Sequence, residues 1–204
     1  MPIEIRKVET VYQGYLTVLA ATLAGADGTT FRREIEHHGQ AACVLPFDPE
    51  RRCALLVRLP RAPAIWAGGP ATLTEAPAGM VEDETPEATV RREALEEAGL
   101  RLGPLQPLGA PFSSPGVSSE RIHLFLAEYH AGDRVAGGGG SAAEHENISV
   151  SEVALEALWD WAAEGRIDDL KTLALVLALR VRRPELFGAP ARVDAGQRPG
   201  GRPA

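Results

Sequence analysis

The chain has 204 residues, enough for one well-buried domain with a small extension. Hydrophobic residues make up 45% and charged residues 24%, and no run approaches the roughly 20 apolar residues of a membrane span, which excludes a transmembrane protein. A net charge of −7 argues against a broad surface for duplex nucleic acid, but a small anionic ligand needs only a local cationic site or a metal.

The N-terminal stretch MPIEIRKVETVYQG has no basic region followed by an apolar one, so we expect no secretory signal and a cytoplasmic protein. Cys43 and Cys53 lie in apolar runs without a CxxC spacing. We interpret them as reduced core residues, with a disulfide or metal pair as the alternative. No metal-ligand spacing relates the histidines, and we assign no chemistry to His37, His38, His123, His130 or His145.

The first half of the chain is rich in β-formers. Three runs separated by turn residues predict a small antiparallel unit with strands at 8–12, 15–20 and 30–35. Two apolar runs at 41–45 and 53–57 predict a hairpin of buried strands. Prolines and glycines at 60–70 then predict a loop, followed by a short strand at 73–76.

A helix with recognisable ends comes next. Thr85 suits the N-cap, Pro86 the first helical position, Glu87 the positive end of the dipole, and Gly99 the left-handed residue at the end. These four residues together predict a helix between Thr85 and Gly99.

The remainder of the chain alternates strands with helices. Further strands are expected at 122–129 and 148–150, with a glycine-rich mobile loop at 137–141 between them. Helical spacing from 151 and again from 168 to about 183 predicts two core-packing helices. For the second helix, the expected buried side carries Leu170, Leu173, Leu177 and Val181.

Three carboxylates share one face of the helix that begins after Thr85. At 100° per residue, Glu93, Glu96 and Glu97 fall at about 0°, 300° and 40°. Like charges at this spacing repel one another, so the pattern favours a bound cation, and Mg²⁺ or Mn²⁺ prefers such oxygen ligands. The alternative is a solvated acidic face.

The stretch GMVEDETPEATVRREALEEAGL, residues 79–100, resembles the signature of the Nudix hydrolases: a glycine, a glutamate, then R-E-U-x-E-E-x-G-U with U aliphatic. From Glu84 onward the match is complete. The one departure is a gap of four residues between Gly79 and Glu84, where the family pattern usually has five. The resemblance implies an α/β/α sandwich with a mixed sheet, here preceded by the N-terminal antiparallel unit.

The resemblance also implies roles for individual residues. Glu93 and Glu97 would be the principal ligands of Mg²⁺, or of Mn²⁺ as the alternative ion. Glu96 would contribute directly or through water, and the backbone carbonyl of Ala78 would be a further ligand. A pair formed by Arg92 and Glu84 would fix the helix against the preceding loop.

Looser similarities extend from about residue 32 to 179 and resemble the ADP-ribose and GDP-mannose pyrophosphatase branch. They lie at 56–61, 73–79, 114–120, 144–148 and 165–172, and the last two resemble the GDP-mannose type. This branch hydrolyses a nucleoside diphosphate sugar to a nucleoside monophosphate and a sugar phosphate. By position, Glu144 resembles its catalytic base and Glu146 a further metal ligand, on a loop whose glycines allow closure. An acidic loop without a role is the alternative.

Other positions are candidates for binding the substrate, with an ordinary surface position as the alternative for each. We expect Arg61 to reach a phosphate or the terminal sugar, Glu75 a ribose hydroxyl or base edge, and Glu120 the substrate or the metal. A phosphate role is expected for Lys171 near the start of the last helix, and Arg32 completes the set. These residues do not select adenine over guanine, a particular sugar, the phosphorus attacked or the number of metal ions.

In this branch the N-terminal strands commonly exchange with a second subunit, so we expect a homodimer. The expected division is an N-terminal β unit for dimerisation (1–38), a Nudix hydrolase domain (39–187) and a flexible tail (188–204). The competing hypotheses are a nucleotide-sugar sensor that has lost catalysis and a Nudix protein acting on other nucleoside diphosphate derivatives. The intact carboxylates and the lack of an appended helix-turn-helix domain argue against the sensor.

Overall fold

The computed structural model describes residues 3–140 and 147–188. Within these ranges the chain forms a three-stranded sheet, a seven-stranded sheet and four α-helices.

The N-terminal sheet is the expected antiparallel unit, with longer strands. It consists of β1 (Glu4–Gln13), β2 (Thr17–Ala24) and β3 (Thr30–His37), in that spatial order. Antiparallel partners project their side chains on the same face, so the register assigns each residue to a face. One face is mostly apolar, and Arg33 lies on it with its guanidinium over the Phe31 ring. The apolar residues of this face are Ile5, Val8, Leu19, Ala21, Leu23, Phe31 and Ile35. The other face carries most of the charge: Lys7, Glu9, Arg32, Glu34 and Glu36.

The larger sheet is mixed. Its strands are β4 (Gln40–Asp48), β5 (Cys53–Leu59), β6 (Leu73–Glu75), β7 (Ala78–Val81), β8 (Leu105–Gly109), β9 (Ile122–Glu128) and β10 (Ser149–Ala154). The spatial order is β10-β5-β4-β9-β8, in which β4 and β9 are parallel and the other pairs are antiparallel.

The predicted hairpin of β4 and β5 is present, but its strands separate almost at once. They pair at only two positions, next to the turn. Beyond these, β7 pairs with the first half of β4 and β6 pairs with the end of β5. The short strands β6 and β7 therefore occupy the opening between β4 and β5, and β7 leads into the helix that carries Glu93, Glu96 and Glu97. This opening lies beside the candidate site described below.

The helices are α1 (Ala62–Trp66), α2 (Pro86–Ala98), α3 (Leu155–Ala163) and α4 (Leu170–Arg182). They cover both faces of the large sheet, and β4 shows why. Alternate side chains of a strand point to opposite faces. Cys43, Leu45 and Phe47 pack with residues of α3 and α4, whereas Ala42 and Val44 pack with Val90 and Ala94 of α2. The chain is thus the expected α/β/α sandwich.

The ends of α2 are as predicted. The Thr85 hydroxyl accepts a hydrogen bond from the Ala88 N–H at 3.2 Å, and Pro86 occupies the first helical position. At the other end Gly99 has φ 68°, the left-handed conformation that glycine adopts most readily.

The predicted buried side of α4 is wrong. The buried residues are Thr172, Leu175, Val176 and Leu179, whereas Leu170, Leu177 and Val181 are 64%, 43% and 80% exposed. Aliphatic residues occur all round this helix, so periodicity alone did not choose a side. A polar contact accompanies the choice: the Thr172 hydroxyl accepts a hydrogen bond from the Ala76 N–H at 2.7 Å.

Smaller differences occur in short elements. The predicted loop at 60–70 contains the one-turn helix α1, and the short strands β7 and β8 were not expected. Cys43 and Cys53 are buried free thiols, which confirms their interpretation as core residues. The predicted tail lies almost entirely beyond residue 188, outside the described residues. No helix in the described ranges is long and apolar enough to cross a membrane.

Candidate active site

Two candidate metal ligands of α2 meet the backbone of β7. The Ala78 N–H donates to Oε2 of Glu97 at 3.2 Å, and Glu97 is only 2% exposed. Next to it, a Cβ at Gly79 would overlap the carboxylate of Glu93. The absence of a side chain at Gly79 therefore allows Glu93 to approach the strand beside Ala78.

The predicted pair of Arg92 and Glu84 is present, with Nε and Nη2 of Arg92 each 3.0 Å from Oε1 of Glu84. Nη1 of Arg92 also contacts Glu93 at 2.8 Å and Glu96 at 3.1 Å. Burial alone would lower the pKa of Arg92, but these carboxylates outweigh it and raise the pKa. The loop that is one residue short thus still brings Glu84 onto the helix.

The donor set fits a hard divalent cation, since Glu93, Glu97 and the Ala78 carbonyl all offer oxygen. Within the described part of the chain, however, no three acidic, histidine or cysteine side chains are grouped closely enough to hold an ion. The other predicted contributors, Glu144 and Glu146, lie outside the described residues.

A cleft connects this corner to the candidate substrate residues. One cavity, of about 390 Å³, lies beside α4 and includes Arg61, Glu120 and Lys171 in its wall. A second cavity, of about 800 Å³, lies beside α2 and includes Glu84, Arg92 and Glu93. Both share the residues Tyr15, Arg61, Ala78, Gly79 and Met80. A ligand in the first cavity can therefore extend to the carboxylate helix.

Glu75, which is buried, and two partly exposed cations form an ion cluster at the wall of this cleft. Nε and Nη2 of Arg61 lie 2.9 and 3.0 Å from the two oxygens of Glu75, and Nζ of Lys171 lies 3.1 Å from Oε2. Nζ of Lys171 also lies 2.6 Å from Asp169, which caps α4. Because Glu75 is 1% exposed, the alternative of a surface side chain is wrong. Its carboxylate contacts Arg61 and Lys171 and is placed to orient both side chains.

The cations of this cluster are held in their charged forms. Hydrogen bonds to Glu75 raise the pKa of Arg61 against the effect of burial. Burial lowers the pKa of Lys171, but Asp169 and Glu75 raise it by more. Both side chains can therefore present positive charge to an anionic ligand at neutral pH.

Glu120 lies in the cleft with a partner that the sequence did not reveal. Nε2 of His38 is 3.2 Å from Oε1 of Glu120, and Nδ1 of His38 contacts Glu36. Arg32 behaves differently: it is exposed on the charged face of the N-terminal sheet and does not line either cavity of the described chain.

Sequence reasoning missed several residues of the cleft wall, among them Tyr15, His38, Phe112 and Asp169. Asp169 had a usable signal, since Asp before an apolar helix is a common N-cap. For His38 no local signal existed, because one of its partners is 82 residues away.

Comparison with known proteins agrees with this geometry. The model of the NUDIX domain family matches residues 37–175. A GDP-mannose pyrophosphatase from Cronobacter sakazakii is 34% identical over 186 residues, which cover 88% of this chain and 96% of that protein. An ADP-ribose pyrophosphatase from Escherichia coli is 36% identical over 184 residues, which cover 87% of this chain and 86% of that protein.

A solved structure shows the same fold. The crystal structure of an ADP compounds hydrolase superposes with a TM-score of 0.73 and covers 91% of this chain and 96% of its own, at 17% identity. The family model spans most of the chain, and the relatives align over most of their length. The chain therefore belongs to the Nudix family of hydrolases, which cleave phosphorus-containing anhydrides.

Proposed function

We propose that the protein hydrolyses the pyrophosphate bond of a nucleoside diphosphate sugar of the ADP-ribose or GDP-mannose type. The products would be a nucleoside monophosphate and a sugar phosphate. The observation that carries this proposal is the shared cleft, whose continuous wall includes Glu93 of α2 and the cations Arg61 and Lys171. The names of the two relatives support the same substrate class.

We propose separate roles in substrate binding and metal binding for the residues of the cleft. Arg61 and Lys171 would bind phosphate oxygens, because both are held charged by Glu75. Glu93, Glu97 and the Ala78 carbonyl would hold Mg²⁺, with Mn²⁺ as the alternative, and Glu96 would contribute directly or through water. When bound, the ion neutralises the pyrophosphate and lowers the pKa of an attacking water.

Three further roles complete the proposal. Arg92, through its pair with Glu84, would keep the face of α2 against the loop. The general base would be Glu144, and Glu146 would be a further ligand. Glu120 would accept hydrogen bonds from the substrate.

We also propose that the protein is a homodimer formed through its N-terminal sheet. In the described part of the chain, the β1 end of this apolar face is open to solvent: Ile5 is 58% and Val8 47% exposed. A three-stranded sheet requires an apolar face packed against something to be stable. A second copy offers the same apolar face, so two N-terminal sheets packed face to face would cover each other. The 1–38 unit would thus serve assembly, and the 39–187 domain catalysis.

The two buried thiols, Cys43 and Cys53, suit a reducing compartment, and we propose the cytoplasm.

The decisive experiment incubates the protein with Mg²⁺ and, separately, ADP-ribose, GDP-mannose, other sugar nucleotides and nucleoside triphosphates, followed by product analysis. We expect turnover of one of the first two to a monophosphate and a sugar phosphate. Tight binding of a sugar nucleotide without turnover would favour the sensor, and preference for a triphosphate would contradict the proposed substrate class.

Glu97→Gln provides the matched variant. It preserves the shape of a buried side chain but removes the negative charge that the metal requires, so hydrolysis should fall by at least about a hundredfold. Unchanged circular dichroism would show that the fold is intact. Wild-type turnover by this variant would refute the metal assignment.

A further inference from the structure

His38 occupies the junction between the N-terminal sheet and the cleft. Its Nδ1 contacts Glu36 and its Nε2 lies 3.2 Å from Glu120. All three side chains are partly buried, at 22%, 23% and 16% exposure for His38, Glu36 and Glu120. A histidine donates from both ring nitrogens only as the imidazolium, and here both nitrogens face carboxylates.

The backbone around this histidine joins the same two parts of the molecule. The Glu36 N–H donates to the Val117 carbonyl at 2.8 Å, and the Ser119 N–H donates back to the Glu36 carbonyl at 3.0 Å. One residue later, the Glu120 N–H donates to the Ser118 hydroxyl at 3.1 Å. The loop at 114–120, which carries Glu120 into the cleft, is therefore held on the end of β3.

Among the described titratable side chains around this junction, His38 is the one that contacts both Glu36 and Glu120. The neighbouring His37 directs Nδ1 to the Ser119 hydroxyl at 2.8 Å, and Arg61 and Lys171 in the cleft wall are engaged with Glu75. Without the imidazole, Glu36 and Glu120 would lie near each other with their charges uncompensated, and like charges repel.

On the basis of the proposed function, we propose that His38 is a positioning residue that holds the Glu120 carboxylate in the cleft for substrate hydroxyl groups. An ionised carboxylate only accepts hydrogen bonds, and the hydroxyl groups of a sugar nucleotide are matching donors. His38 thereby links the placement of Glu120 to β3 and to the N-terminal sheet.

The test compares variants of the full chain by steady-state kinetics on whichever of ADP-ribose and GDP-mannose is turned over. His38→Ala should raise KM roughly tenfold or more, as expected for loss of a charge-assisted hydrogen bond, while kcat changes little. His38→Arg should restore KM, because a guanidinium can also bridge two carboxylates. The matched control is His37→Ala, whose wild-type ring contacts Ser119 and not Glu120, and its KM should stay close to that of the wild type.

A double-mutant cycle separates positioning from general damage. If His38 acts through Glu120, His38→Ala combined with Glu120→Gln should raise KM no more than Glu120→Gln alone. Additive losses, a fall in kcat at unchanged KM, or failure of His38→Arg to restore KM would each overturn the proposal. Thermal unfolding of each variant identifies one that fails to fold, and His38→Gln then takes its place.

Binding without turnover distinguishes this proposal from the proposed function. Calorimetric titration of ADP-ribose and GDP-mannose in EDTA measures affinity when hydrolysis cannot occur. If the wild type binds but never hydrolyses them, the proposed function fails, and the same cycle measured as Kd still tests His38. If the wild type binds neither compound in EDTA and turns over neither with Mg²⁺, both proposals fail. Equal Kd values for the wild type and His38→Ala would overturn the role of His38 alone.

Discussion

Gly79 shows how one missing side chain can shape the candidate metal site. Its Cα lies against the Glu93 carboxylate, so that a Cβ there would overlap Glu93. The neighbouring Ala78 carries a side chain, and its N–H contacts Glu97. The glycine of the Nudix signature is therefore explained in this chain by close approach of a helix carboxylate to a strand, since φ at Gly79 is not in the left-handed region.

Gly79→Ala should reduce kcat by about tenfold to a hundredfold, because the Glu93 carboxylate must move away from β7 by a distance that catalysis tolerates poorly. Steady-state kinetics at saturating Mg²⁺ measures this effect. Ala78→Gly is the control at the next position, and it should retain most of the activity. Equal kcat for Gly79→Ala and the wild type would mean that Glu93 need not lie close to β7.

Glu75→Gln tests the ion cluster formed by Glu75, Arg61 and Lys171. The amide can accept one hydrogen bond from Arg61 but carries no charge, so Arg61 and Lys171 lose their common anchor. We expect KM for the sugar nucleotide to rise about tenfold, with a smaller change in kcat. The free energy of unfolding should fall as well, because two partly buried cations lose their counter-charge. An unchanged KM in a folded variant would contradict the orienting role.

At the scale of elements, α2 and α4 differ in how far local sequence determined them. The ends of α2 were predicted from Thr85 and Gly99, and the spacing of Glu93, Glu96 and Glu97 predicted that they share one face of the helix. The ends of α4 were also close to prediction, but its buried side was not, because aliphatic residues surround it. On the side of α4 that is buried, Thr172 accepts a hydrogen bond from Ala76, a residue 96 positions away in the chain.

Gly99→Ala should destabilise the fold by more than about 1 kcal/mol. The left-handed conformation at φ 68° is less favourable for alanine than for glycine, and the alanine Cβ would also overlap the Ala136 carbonyl. Urea unfolding measures the difference. Gly165→Ala, with φ 69° but open space around the position, is the matched control and should show only the conformational part. A loss no larger than that of the control would contradict the packing contribution.

The β4–β5 turn should make stability depend on pH. Burial would raise the pKa of Asp48, but hydrogen bonds from Arg51 and Glu50 lower it overall. A lowered folded-state pKa stabilises the protein above the unfolded value near 4, and this contribution is lost as pH falls through the folded pKa. Asp48→Asn should cost about 1–3 kcal/mol at pH 7, and the difference from wild type should shrink below about pH 4. A difference that is constant from pH 7 to pH 3 would rule out ionic stabilisation.

At the scale of the whole molecule, the two sheets are packed differently. The large sheet buries both faces under helices, whereas the apolar face of the N-terminal sheet is exposed at Ile5 and Val8. The two sheets meet where the end of β3 pairs with the loop at 114–120, beside the cleft. Assembly through the N-terminal sheet would therefore act close to the substrate residues.

Val8→Lys should convert the proposed dimer to a monomer, because it places a charge in the middle of the apolar face. Light scattering coupled to size-exclusion chromatography measures the mass. The control is Glu9→Lys, which introduces the same side chain one residue later, on the charged face, and should leave the dimer intact. A wild-type mass of one chain, or equal effects of the two substitutions, would contradict assembly through the apolar face.

The sequence by itself determined what depends on neighbours along the chain. The ends of α2, the carboxylates on its face and the antiparallel N-terminal unit follow from spacings of a few residues, and the Arg92–Glu84 pair follows from the resemblance to the Nudix signature. Only the tertiary structure decided the pairing of His38 with Glu120, the burial of Glu75 between Arg61 and Lys171, and the buried side of α4. These depend on contacts between residues 14 to 96 positions apart, whose proximity comes from the path of the sheet and not from any local pattern.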